Sequence, residues 1–122
     1  MTQELALRPF LPAKDLDTSR RFYEALGFRA THVDNEVCVM KIGGLSLILM
    51  SHFVKEWADN QMVQLMVSDV EPWWETHVDA EKLVAEFGVR PPKPPAMQPW
   101  GLIVGFIVDP AGVCLHVAES PF

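Results

Sequence analysis

The chain has 122 residues, 49% of them hydrophobic and 21% charged, with a formal net charge of −6 at pH 7. That length holds one compact domain, or two small halves sharing a core, and not two independent domains. The hydrophobic share excludes a disordered chain, and the acidic balance argues against nucleic acid as a partner, because phosphate binding needs a basic face.

No apolar run approaches the roughly 20 residues of a membrane span, so a soluble protein with no membrane partner is expected. The start, Met1-Thr2-Gln3-Glu4, lacks the basic and then apolar profile of a signal peptide, which points to the cytoplasm. Cys38 and Cys114 each lie in an apolar alternating segment, with no CxxC and no zinc spacing, and read as two buried thiols.

Residues 5–13 are apolar and broken by Pro9 and Pro12, the pattern of an edge strand or extended arm. Asp15-Leu16-Asp17-Thr18 starts a helix, in which Leu16, Ser19, Phe22, Tyr23 and Leu26 recur at helical spacing before Gly27 stops it. Residues 28–33, 36–42 and 45–51 read as strands separated by turns at Asp34-Asn35 and Gly43-Gly44. Residues 52–60 form a polar loop carrying Phe53 and Trp57. Residues 62–67 are a buried strand. Asp69 opens a second helix running to Phe87, with Trp73 packed inward, Trp74 partly exposed, and Gly88 as its stop. Pro91 to Pro95 is a stiff extended connector. Residues 100–108 and 113–119 are strands joined by the turn Asp109-Pro110-Ala111-Gly112.

The order repeats. Leu11 to Leu16 parallels Leu65 to Val70, Gly27-Phe28 parallels Gly88-Val89, and Gly44 to Leu49 parallels Gly112 to Val117. Such a repeat predicts an α+β fold of two βαβββ modules in pseudo-two-fold relation, forming a curled mixed sheet around a cleft. The modules span about 1–55 and about 60–122 of a single domain 1–122. Neither half has enough apolar surface to be stable alone, and the cleft is the default binding site.

Leu11-Pro12-Ala13-Lys14-Asp15, Phe22-Tyr23-Glu24-Ala25-Leu26-Gly27-Phe28 and Asp109-Pro110-Ala111-Gly112 together resemble the vicinal-oxygen-chelate superfamily of glyoxalases, bleomycin resistance proteins and dioxygenases. Gln98-Pro99-Trp100-Gly101, followed by Asp109 to His116, is similar to the C-terminal signature of the bleomycin resistance proteins. Pro9 stands where those proteins carry a proline that lets the N-terminal arm cross to a partner subunit. The resemblance therefore implies a homodimer with exchanged arms.

The enzymes of that superfamily hold a divalent metal at four repeat-related strand positions. The resemblance places these at Arg8, Ile48, Met62 and His116. Arginine stays protonated, isoleucine has no donor atom, and methionine is a poor ligand for a hard cation, so His116 alone could bind. No metal, no cofactor and no catalytic residue are expected; a divalent metal belongs only to the alternative reading, a metal-dependent lyase, isomerase or dioxygenase. The favoured expectation is a small-molecule-binding protein that sequesters an antibiotic or related amphipathic ligand. Its candidate contacts are Arg8, Ile48, Met62, His116, Trp100, Gln98, Phe53 and Trp57. Trp100 reads equally as a core or interface residue, Phe53 and Trp57 equally as dimer contacts, and His116 as a core histidine. If it faces the cleft, Arg8 opposes a cationic ligand and favours an anionic or carbonyl-bearing one.

Overall fold

Pro9 and Pro12 frame β1 (Phe10–Pro12), which pairs in parallel with β4 (Leu45–Met50) and forms one edge of its sheet. An edge is where a residue without an N–H costs no ladder bond. The structure, a computed structural model, describes residues 5–119; Met1–Glu4, on which the signal-peptide expectation rests, lie outside them. α1 (Leu16–Ala25) starts at Asp15, whose carboxylate accepts the Thr18 N–H at 3.1 Å and satisfies one orphan donor of the first turn. β2 (Arg29–Val33) and β3 (Val37–Ile42) complete a four-stranded sheet in the order β1-β4-β3-β2.

The second unit repeats the plan with β5 (Met62–Val67), β6 (Lys93–Met97), β7 (Ile103–Val108) and β8 (Cys114–Glu119), in the order β5-β8-β7-β6. Its helical segment is the first departure from expectation. The single helix 69–87 is two, α3 (Val70–His77) and α4 (Ala80–Phe87), because Val78 is extended (φ −112°, ψ 105°). Asp79 caps α4 by accepting the Lys82 N–H at 3.1 Å. An aspartate competes for backbone N–H groups and prefers a cap to a helix interior.

Trp74 departs from its expected partial exposure, while Trp73 packs against the core. Trp74 is the buried one, lying over Gly105 of β7, while Trp73 is half-buried and stacked on His77 with ring centroids 4.3 Å apart. The proline-rich connector is also a strand, β6. It lies at the sheet edge, and its register slips between Lys93 and Ala96, across Pro94-Pro95. The missing N–H groups thus fall at an edge and a bulge, where they are tolerated. Residues 52–60 are not all loop: α2 (Lys55–Asp59) buries Ala58 between the two units.

Among the described residues the two sheets share no ladder. Their helix-bearing faces merge in one core, to which Leu11, Phe22 and Leu49 come from the first unit and Leu83, Ile107 and Val117 from the second. The Phe22 and Phe87 rings meet edge to face at 5.4 Å across the junction. Tyr23 Oη donates to Asp109 Oδ2 at 2.7 Å, and Asp109 Oδ1 accepts the N–H groups of Ala111, Gly112 and Val113. Two of the sequence motifs therefore meet in one buried cluster. At the edges, Gln61 Nε2 donates to the Phe10 carbonyl and the Gln61 carbonyl accepts the Cys114 N–H.

Candidate functional site

Side chains alternate along a strand, so each sheet whose one face enters the core presents the other outward. On β8, Leu115 and Val117 are buried in the core, which turns Cys114 and His116 out. Register carries that face across the sheet: Met62 pairs with Cys114, Gln64 with His116, Phe106 with His116, and Lys93 with Phe106. The Phe106 and His116 rings meet edge to face at 4.7 Å. Met62 stands 68% exposed on the same face. Burial pushes the Cys114 thiol up, against the opposing pull of the Arg90 and Lys93 charges.

The first sheet has the corresponding face. Ile48 lies between Phe10 and Val39 and is buried, whereas Phe10 is 54% exposed. Arg8 precedes β1 and is exposed; the adjacent Pro9 carbonyl accepts the Ile48 N–H at 2.9 Å and prolongs the ladder. The four repeat-related positions thus resolve into two pairs, Arg8 with Ile48 on one sheet and Met62 with His116 on the other.

These side chains do not fit a divalent metal. A guanidinium has no lone pair to offer, Ile48 has no donor atom, and the Met62 thioether suits soft ions. His116 and its neighbour Gln64 supply one imidazole and one amide, short of the three or four ligands such sites need. Among the described residues no three His, Cys, Asp or Glu side chains converge.

The remaining candidates are scattered. Trp100 is 57% exposed on the β6–β7 turn, where Gln98 is held by its N–H to the Leu102 carbonyl and by Nε2 to the Ala96 carbonyl. Phe53 is half-buried against the core beneath Lys14, whose Nζ lies 5.8 Å from its ring centre. Trp57, on α2, is 59% exposed and tilted against His52 at 5.8 Å between ring centres.

A separate cavity of about 460 Å³ lies at the junction of the two units, lined by Leu7, Leu26, Phe28, Leu65, Trp73 and Leu115 among others. None of the eight candidate contacts lines it. Leu5 and Leu7 border it yet remain 90% and 96% exposed. Gln64 also lies on the outer face, and Phe106 there escaped the sequence reading. Gln64 shares Met62's strand parity, and Phe106 is reached opposite His116 by counting outward from the Asp109–Gly112 turn, so both signals were present.

The fold matches solved structures along nearly its whole length. A bleomycin-binding protein complexed with bleomycin shares 25% identity, with 98% of this chain and 99% of that chain covered and a TM-score of 0.77. The bleomycin-binding protein from Streptomyces verticillus, complexed with copper(II)-bleomycin, shares 24%, with coverages of 98% and 99% and a TM-score of 0.78. A lactoylglutathione lyase from Agrobacterium tumefaciens is also similar, at 20% identity, coverages of 97% and 96% and a TM-score of 0.63. No curated protein matches the sequence. The family model described as Glyoxalase/Bleomycin resistance protein/Dioxygenase superfamily matches residues 6–117. With two βαβββ units and a match over nearly its full length, the chain belongs to that superfamily.

Proposed function

We propose that this chain is a metal-free small-molecule-binding protein of the bleomycin resistance type. It sequesters an antibiotic or related amphipathic ligand in a cleft that two copies complete by exchanging N-terminal arms. The observation that carries this reading is the poor donor set of Arg8, Ile48, Met62 and His116, the positions at which the resemblance implies metal ligands in the superfamily's enzymes. Sequestration needs affinity alone, and an apolar face with a few polar groups supplies it.

The second copy is supported by the apolar surface left uncovered. Leu5, Leu7, Phe10 and Met62 are each more than half exposed, and burying a leucine contributes about 1.5–3 kcal/mol. The free thiols of Cys38 and Cys114 accord with a reducing cytoplasm.

Light scattering on the purified chain is expected to give two copies per particle, and Leu5→Asp with Leu7→Asp to give one. Bleomycin is the first ligand to titrate, read by tryptophan fluorescence, followed by a panel of amphipathic antibiotics; no binding across the panel would sink the antibiotic reading. Elemental analysis after purification without chelators is expected to find no stoichiometric divalent metal. One metal per chain would replace this reading with a metal-dependent enzyme.

A further inference from the structure

The charges of this acidic chain are sorted by element. It has 16 Asp and Glu against 10 Lys and Arg, yet Glu119 is the only carboxylate on any strand among the described residues. Glu119 also faces the helices, since its Oε1 accepts the Val70 N–H at 3.3 Å. The strand cations are Arg29, Lys41 and Lys93.

These cations share the outer faces with the candidate contacts. Lys41 has the parity of Val39, which pairs with Ile48, and it is paired directly with Arg29 on β2. Two like charges opposite each other on one face destabilise a sheet, and neither forms an ion pair among the described residues. On the second sheet Lys93 is paired with Phe106, beside His116, and the Arg90 charge acts on the same region through Cys114. Each outer face therefore runs from an apolar inner edge, at Phe10 or Met62, to a basic outer strand.

Resting on the binding-protein reading above, we propose that the cleft takes an anionic amphipathic small molecule. Its apolar body lies on the Phe106–His116 and Ile48–Val39 faces, and its carboxylate, sulfonate or phosphate meets Lys93 or the Arg29–Lys41 pair. A cationic ligand would add a third like charge beside Arg29 and Lys41. The net charge of −6 does not reverse this preference. Exposed charges farther away than the Debye length, about 8 Å at physiological ionic strength, are screened, so the cations at the face decide.

The test uses a matched pair of probes, 2-naphthalenesulfonate and 2-naphthylmethylammonium, titrated into the full chain by NMR. The sulfonate is expected to bind more tightly by about tenfold, the worth of one charge-assisted contact. At least one of Lys93→Glu and Lys41→Glu should weaken it by a similar factor. Lys82→Glu, an identical charge change on α4, should leave it within about twofold. All three substitutions fall on exposed side chains, and circular dichroism melts verify folding. Equal or tighter binding of the ammonium probe overturns the anion assignment and leaves the binding-protein reading standing. Sulfonate binding that ignores Lys93→Glu and Lys41→Glu overturns the site. No binding of either probe counts against both.

Discussion

Tyr23 and Asp109 lie 86 positions apart in sequence, yet the Tyr23 hydroxyl donates to the Asp109 carboxylate at 2.7 Å in the middle of the core. The bond ties the helix of the first unit to the last hairpin of the second. Asp109 is 2% exposed, and its other oxygen already holds the three N–H groups of its own turn. It is one of the contacts that join the two halves, beside the Phe22–Phe87 ring pair.

Tyr23→Phe removes the donor and leaves one carboxylate oxygen buried without it. The expected loss is about 1–3 kcal/mol, the cost of an unsatisfied buried acceptor. Urea unfolding should show a lower midpoint with an unchanged slope. A separate early transition for one half would show instead that the bond carries cooperativity as well as stability.

The pH dependence of Asp109 has an unusual sign. Burial pushes its carboxyl up, outweighing the bonds from Tyr23 and the three N–H groups. In the folded chain it keeps a proton that the unfolded chain has released, so its contribution to stability falls as pH rises from 3.8 through the folded value. Asp34 acts in the opposite sense. Its hydrogen bond with His32 is the main cause holding its carboxyl down at about 2, and the stability it lends above 3.8 is lost as pH falls toward that value. Asp109→Asn removes only the first effect. The Tm difference between variant and parent should move in the variant's favour as pH rises from 3.8; a flat difference would show that Asp109 titrates normally.

Gly105 is required by its neighbour. A Cβ there would overlap the six-membered ring of the Trp74 indole. Gly105→Ala should cost about 1–3 kcal/mol through overpacking. Pairing it with Trp74→Phe should recover part of that loss in thermal melts. Additive losses in the double variant would locate the strain elsewhere.

The break between α3 and α4 depends on a cap that no periodicity reveals. Asp79→Ala removes the acceptor for the Lys82 N–H, and a loss of about 0.5–2 kcal/mol is expected. Hydrogen exchange should show faster opening of the first turn of α4. Unchanged protection there would mean that packing of Leu83, not the cap, starts the helix.

Much of the plan was legible in the residues. The repeat, the N-cap at Asp15, the hairpin turns and the fold class follow from local chemistry and spacing, and each stands in the structure. The errors share a cause. A helix over 69–87, a partly exposed Trp74 and a stiff proline connector outside any strand are each reasonable from local pattern, and tertiary context decided otherwise. Gly105 opens a slot that takes Trp74, the β7 edge recruits the prolines as β6, and Ala58 is buried in the core that both units share.

The candidate site divides along the same line. Strand parity groups Met62 with Gln64, and Cys114 with His116, from the sequence alone, because the side-chain period of a strand does not depend on its neighbours; the register joins the two pairs on one face. The sorting of cations onto outer faces, and of carboxylates onto helices and loops, required the register. Pairing Arg29 with Lys41, and Lys93 with Phe106, joins residues far apart in the chain. Composition and charge, which opened with an acidic total, described the chain as a sum; only the folded sheets showed that the sum is unevenly placed.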